Sequence, residues 1–320
     1  MSSGTAVKRT TIGGQAVIEG IMMRGPHKIC VSIRTPQGDI QNQMLDEKTG
    51  KRPLVLRLPI IRGVCGFVDS LRAGYKSISI AAEIASAGEE DEPKEKEKEE
   101  EKKNGLYNVI MSIAMVAGIV VALFLFLWVP ARLFGAVNGW TGYSITGWKA
   151  VFEGVVKIIV FLAYITGITF MPDIKRMFMY HGAEHKTIFC YEAGDELTVE
   201  NVRWRRRFHP RCGTSFLILM LLVSIVVDVI ILAIFPALNA NSLRMLWVAV
   251  KVILIPIVVG LGFELIRVCG RHDNIVTKII SAPGMWLQRI TTKEPTDDMI
   301  EVAIAALKEV IPENAADDVW

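Results

Sequence analysis

Leu106–Val129 reads LYNVIMSIAMVAGIVVALFLFLWV, 24 residues with no charged side chain, and Pro130 follows. At about 1.5 Å per residue, a helix of that length covers the roughly 30 Å of a bilayer's hydrocarbon core. Three further runs share this character: Ala150–Met171, Thr214–Phe235 and Leu243–Ile266. The reading that follows is an α+β integral membrane protein with four transmembrane helices, a small cytoplasmic β-rich N-terminal domain and cytoplasmic helical elements. The composition agrees: 51% of the 320 residues are hydrophobic and mean hydropathy is +0.37, high for a soluble protein.

Orientation comes from the loops. The segment 172–213 carries Lys175, Arg176, Lys186, Arg203, Arg205, Arg206, Arg207 and Arg211, whereas the segments joining runs one to two and three to four hold few charges. The positive-inside rule places the long middle segment and both termini in the cytoplasm, in a multi-pass protein of the cell's inner membrane. The expected organisation is 1–88, β-rich with an amphipathic helix; 89–105, a charged linker; 106–171, transmembrane helices one and two; 172–213, a basic loop; 214–267, transmembrane helices three and four; and 268–320, a helical tail. No internal repeat is visible.

Within 11–45 the spacing predicts strands. Thr11–Arg24 is rich in β-formers with Gly20 as a bulge, Gly25-Pro26 marks a turn, Lys28–Arg34 is the next strand, and Pro36–Asp39 turns the chain into Ile40–Leu45. Glu19 and Arg24 lie here as site candidates, but the glycines lack the spacing of a phosphate loop. Pro59 then opens a helix whose apolar positions Ile60, Ile61, Val64, Phe67, Val68, Leu71 and Ile78 share a face. That helix either lies on the bilayer or packs on its neighbours. The interleaved Glu and Lys of 89–103 cannot bury apolar surface. Pro283–Gln288 reads as an interfacial segment around Trp286. Thr296, Asp297 and Asp298 start a last helix whose apolar face docks on the cytoplasmic domain.

Net charge of +3 is too small to argue for nucleic acid. Five cysteines without a close-spaced framework fit a reducing compartment, and Met1–Thr5 does not resemble the start of a cleavable signal peptide. Charges inside the runs are more telling. Glu153 and Lys157 are four apart and able to pair on one helix face. Asp228 and Lys251 lie at matching depths, roughly 21–24 Å from the cytoplasmic end, where pairing would lower the cost of burial. A structural ion pair is favoured over an ion pathway.

The chemistry is concentrated in His181-Gly-Ala-Glu184-His185. On a helix these three polar residues share one face. Two imidazoles four apart can hold one Zn²⁺, or another divalent transition metal, with Glu184 as general base; the order is that of the inverted zinc-peptidase motif. The bland alternative is a surface pair of histidines. A catalytic site needs a third protein ligand and an open position, and His209, Cys212 and Glu264 fall at the same membrane edge. Cys212 also reads as a nucleophile or a small apolar residue, with the ligand reading narrowly favoured, and Glu264 as the partner of Arg267 or a basic-loop arginine. Glu192, Asp195 and Glu196 are reserve ligands in a turn around Gly194. His27 with Cys30, and His272, read as incidental. Arg203, Arg205, Arg206 and Arg207 suit anionic lipid headgroups.

Gly13–Arg24, His181–Lys186, His209–Phe216 and Pro283–Pro295 together resemble the YqhQ-like family of bacterial membrane proteins, over nearly the whole chain outside the charged linker. The resemblance implies a bacterial cytoplasmic-membrane protein. The family is a domain of unknown function labelled a metal-dependent enzyme, a label that leans on the same histidine pattern. Three functions compete: a membrane-embedded metallohydrolase acting on a membrane peptide or lipid-linked substrate; a non-enzymatic scaffold or assembly factor with a structural metal; and a transporter subunit using Asp228, Lys251 and Glu264. With four spans, the last requires a homo-oligomer.

Overall fold

The computed structural model describes residues 9–45, 53–86, 112–113, 115–272 and 274–318. The expected charged linker, the start of the first apolar run and the N-terminal five residues lie outside them. The strands are β1 (Gly13–Val17), β2 (Gly20–Arg24), β3 (Ile29–Arg34) and β4 (Ile40–Leu45). The helices are α1 (Ile61–Ser86), α2 (Met115–Trp140), α3 (Lys149–Ile168), α4 (Pro172–Glu192), α5 (Val199–Arg203), α6 (Gly213–Ile234), α7 (Arg244–Arg271), α8 (Ile275–Thr291) and α9 (Asp297–Val310).

Two compact units are built from them. One holds the sheet, α1, α4, α5, α8, α9, the Gly213 end of α6 and the Arg271 end of α7. The other holds α2, most of α3, and the remaining parts of α6 and α7.

In the first unit the sheet is antiparallel in the order β1-β2-β3-β4. The expected bulge at Gly20 is instead a chain reversal. Val17 pairs with Gly20, and Glu19 takes φ 50 in the two-residue turn. β2 and β3 are apolar on both faces because both are covered. Ile21, Met23 and Cys30 join a core with α4 and α9, while Met22, Val31 and Ile33 pack with Ile80 and Ala81 of α1. Strands buried on two sides lose the in–out alternation of a half-exposed sheet. α9 begins after Thr296 with Asp297 and Asp298 in its first turn, where acids favour the helix dipole. Its Met299, Ile300, Ala303, Leu307 and Val310 are buried in that core. Each large side chain there contributes about 1.5–3 kcal/mol of burial.

The helices α2, α3 with its preceding turn, α6 and α7 are each long and apolar enough to cross a membrane. Two boundaries differ from expectation. α2 runs through Pro130 to Trp140 instead of stopping there. A π-helical stretch at Phe124–Trp128 precedes the proline, widening the turn where its ring would crowd the carbonyl four residues back. α7 continues past Ile266 to Arg271. The segment 172–213, expected as a loop, is mostly helix, with α4 supplying 21 residues.

In the second unit the intramembrane charges are buried and meet between helices, not along one. Glu153 of α3 pairs with Lys251 of α7, Lys251 approaches Asp228 of α6 at 3.6 Å, and Asp228 accepts from Lys157 at 3.2 Å. They form one row of alternating sign. The expected Asp228–Lys251 approach is part of it, and Glu153 and Lys157 each find their partner on another helix. Nearby, Lys149 donates to the Leu238 carbonyl at 3.2 Å.

Candidate metal centre

Helix α4 carries the His-x-x-Glu-His segment through the interior of the first unit, so that Tyr180–Ile188 is continuously buried. Helical spacing brings the two imidazoles together, with ring centroids 4.4 Å apart and planes at 65°. Gly182, between them, lies against the backbone of Lys293. A Cβ there would collide with the Lys293 carbonyl, so the smallest residue lets the segment after α8 cross the helix. Lys293 N–H donates to the Phe178 carbonyl at 2.8 Å and fixes that crossing.

Each imidazole is oriented by a backbone carbonyl. His181 Nδ1 donates to Thr291 O at 2.8 Å, and His185 Nδ1 donates to Arg207 O at 2.5 Å. A carbonyl can only accept, so the tautomer is settled at both rings and Nε2 is left to face the site. Nε2 of His185 is buried with no hydrogen-bond partner. Nε2 of His181 faces Cys212 Sγ at 3.1 Å. One ligand atom each from His181, His185 and Cys212 lies within 4.8 Å of the others, and all three residues are buried. Ligands of a tetrahedral zinc ion sit roughly 3.3–3.6 Å apart, given bonds of about 2.0–2.3 Å. The trio would close on such an ion if the His181–Cys212 contact opened by a few tenths of an ångström and the wider pairs, all within 4.8 Å, drew in by up to about 1.5 Å.

The electrostatics suit a cation. Burial would raise the Cys212 thiol, but the two imidazoles outweigh it and hold the group well below its ordinary value. Thr214 N–H also donates to Sγ at 3.4 Å, at the start of α6, where amides favour a thiolate. His181 shows the counterpart. Burial pushes it down, yet the Cys212 sulfur raises it to about 9. The proton between these two atoms is one a metal ion would displace. Glu184 lies beside the trio but outside that 4.8 Å group. Burial raises its carboxyl against the pull of both histidines. The Gly14 N–H donates to it, and a Cβ on Gly14 would come within 2.9 Å of its carboxyl carbon. Its Oε2 is buried without a partner.

The other sequence candidates stand elsewhere. His209 is buried 5.7 Å from His185, centroid to centroid. Its Nδ1 accepts from Arg211 N–H at 3.3 Å, so its Nε2 carries the proton and faces Glu192 at 3.6 Å. This tautomer is opposite to that of the other two rings. Burial, partly offset by Glu192, lowers the His209 pKa. Glu192 is held by Arg211 and by Thr10 N–H at 3.0 Å, and Asp195 by Arg205. Glu264 pairs with Arg62 of α1 rather than with Arg267 or an arginine of the basic segment. Glu19 bonds Arg176 through both oxygens at 2.6 Å, tying the β1–β2 turn to α4. Of the four arginines suggested for lipid headgroups, Arg203 pairs with Asp297, Arg205 with Asp195 and Arg207 with Glu294, while Arg206 is exposed. His27 reaches Asp317, Cys30 is buried in the core, and His272 is exposed.

Three supporting groups were not singled out by sequence reasoning. They are the carbonyls of Thr291 and Arg207, and Gln288, which accepts from His209 N–H and donates to His209 O, both at 2.7 Å. Backbone carbonyls leave no residue-type signal. Gln288 and Gly14 do sit inside the motif blocks that carried the family resemblance.

Among the described residues, four membrane-length helices, a small antiparallel sheet and a buried imidazole–thiol cluster define a mixed α/β membrane-type protein with a candidate metal centre. The chain belongs to the family described as "Protein of unknown function (DUF1385)", which matches residues 58–313. It is 34% identical over 305 residues to "Uncharacterized protein YqhQ" of Bacillus subtilis (strain 168), covering 93% of this chain and 92% of that one. No solved structure matches.

Proposed function

We propose that this chain is a metal-dependent hydrolase embedded in the bacterial cytoplasmic membrane, with both termini and the site at the cytoplasmic face. Its substrate is a membrane peptide or a lipid-linked molecule. One observation carries the reading: two buried imidazoles, each fixed through Nδ1 by a carbonyl, turn their Nε2 atoms toward the Cys212 sulfur. His181, His185 and Cys212 would hold Zn²⁺ or a similar divalent ion. When bound, such an ion supplies Lewis acidity and acidifies water. Glu184 is the general base. Its burial-raised carboxyl and partnerless Oε2 suit taking a proton from the attacking water and returning it to the leaving group. His209, through Glu192 and Gln288, holds the turn before Cys212 in place.

A specific observation supports a second reading, the scaffold with a structural metal. The same free Oε2 of Glu184 could swing in as a fourth ligand and close the shell. Glu184→Gln separates the two. The hydrolase reading expects the variant to keep its metal and lose roughly 10²–10⁴-fold in hydrolysis. Loss of the metal itself would favour the scaffold. The transporter reading gains less, because the Glu153–Lys251–Asp228–Lys157 row is internally compensated and Glu264 is engaged with Arg62.

A further inference from the structure

Among the described residues, the approach to α1 is apolar and uncovered in a way that a water-facing segment would not be. Pro53 leads into a 3₁₀ turn, Leu54–Arg57, none of which is buried, and Leu54 is 80% and Val55 61% exposed. Leu58 and Ile61 continue the exposed surface. Isolated exposed leucines need no explanation, but a contiguous patch does.

What surrounds this patch is set by its neighbours. Ile60 takes φ 69 and presses its backbone on Gly260 of α7. A Cβ on Gly63 would stand 2.8 Å from Phe263 Cβ and 3.1 Å from Gly260 Cα. Glycine against glycine is how membrane helices bring backbones close. Arg62, one residue from this contact, pairs with Glu264 one turn further along α7. Phe67 meets Phe216 of α6 at 5.9 Å, three residues from that helix's start. Gly260 lies seven residues before Arg267, the first basic residue at that end of α7, which is about 10 Å along the axis. Ile60 to Phe67 spans a similar rise, so α1 starts beside the deeper contact and Phe67 meets α6 near its end.

We propose that residues 53–68 are a wedge set into the membrane leaflet at the Arg271 end of α7, with its partner the boundary between lipid headgroups and acyl chains. Leu54, Val55, Leu58 and Ile61 contact acyl chains. Arg57 is the one charge on the exposed turn, and its long stem lets the guanidinium reach the phosphate level. Arg62 needs no water there because Glu264 compensates it. Hydropathy misses the element because the wedge is short and carries two arginines.

The test uses the full chain in phosphatidylethanolamine–phosphatidylglycerol nanodiscs, with Cys65→Ser and Cys269→Ser to remove the two half-buried thiols. Nitroxides at Leu54→Cys and Leu58→Cys are compared with Ile253→Cys on the exposed face of α7 and Asp39→Cys in the β3–β4 turn. At Leu54 and Leu58 the ratio of oxygen to nickel-chelate collisions should approach that at Ile253 and exceed that at Asp39 several-fold. Ratios like that at Asp39 overturn the proposal in favour of water. Immobile labels reached by neither reagent overturn it in favour of a covering protein. Should the variants fail to fold, a diazirine lipid on the unmodified protein decides. Adducts in 53–61 are expected, and their absence while α7 is labelled would refute the wedge.

Discussion

The protein buries polar groups in two places and treats them oppositely. In the second unit, Glu153, Lys251, Asp228 and Lys157 answer charge with charge across three helices. Around α4, backbone carbonyls take one nitrogen of each imidazole and leave the other turned inward beside the Cys212 sulfur. The first arrangement balances its charges, two acids against two lysines, and leaves one carboxylate oxygen, Glu153 Oε1, without a hydrogen-bond partner. The second leaves His185 Nε2 and Glu184 Oε2 buried without partners, which costs about 1–3 kcal/mol per group if nothing binds. The difference teaches how to read a buried polar cluster: compensation points to bracing, and oriented lone pairs point to a ligand.

The largest effect that could break this contrast is loss of metal. His185→Ala and Cys212→Ala should each take the purified protein from about one divalent transition metal per chain to nearly none, measured by plasma emission spectrometry. Asp228→Asn, in the other cluster, should leave the metal in place. Equal losses at both would erase the distinction.

The bracing role comes next. Asp228→Leu alone strands Lys157 and weakens the hold on Lys251, and should cost roughly 3–5 kcal/mol. Asp228→Leu with Lys157→Met should recover most of that, since apolar replacement of a whole buried pair is often neutral. Thermal unfolding in nanodiscs reports both. A double variant as unstable as the single would argue that the row does more than brace.

How much of this was legible beforehand differs between the clusters for a physical reason. Runs of apolar residues announce spanning helices, and charges inside them stand out, so Asp228 and Lys251 were visible as partners. Their full set was not. Helix-face spacing put Glu153 with Lys157, whereas packing gives each a partner on another helix. The His-x-x-Glu-His segment was legible as chemistry, and spacing alone put its histidines on one face. What puts Cys212 and not His209 in the trio is placement in space: the Cys212 sulfur lies 3.1 Å from His181 Nε2, while His209 faces Arg211 N–H and Glu192, and no sequence pattern encodes that. Glu264 shows the same limit: its partner Arg62 lies 202 residues away. Gly20 misled because a glycine in a β-rich stretch marks a bulge or a turn equally well.

A smaller effect sharpens the boundary of the site. Despite burial, Glu192 is held below the ordinary carboxylate range by His209 and Arg211. A depressed acid stabilises the fold above its unfolded value, about 4.3, and the contribution is lost as pH falls through the lower, folded value. Thermal midpoints should therefore drop below about pH 4 in the wild type. Glu192→Gln should cost roughly 1.5–3 kcal/mol at pH 7 and remove this part of the acid dependence. A variant with an unchanged acid profile would remove Glu192 from that role. Smallest of all, Glu264→Gln should leave metal content at the wild-type level, because its carboxylate serves Arg62. A drop would put Glu264 back among the ligands.

X-ray absorption at the metal edge, on wild-type protein purified without chelators, tests the centre most directly. The account predicts one sulfur at about 2.3 Å and two imidazole nitrogens at about 2.0–2.1 Å. A shell without sulfur, or a protein that carries no transition metal, would contradict it.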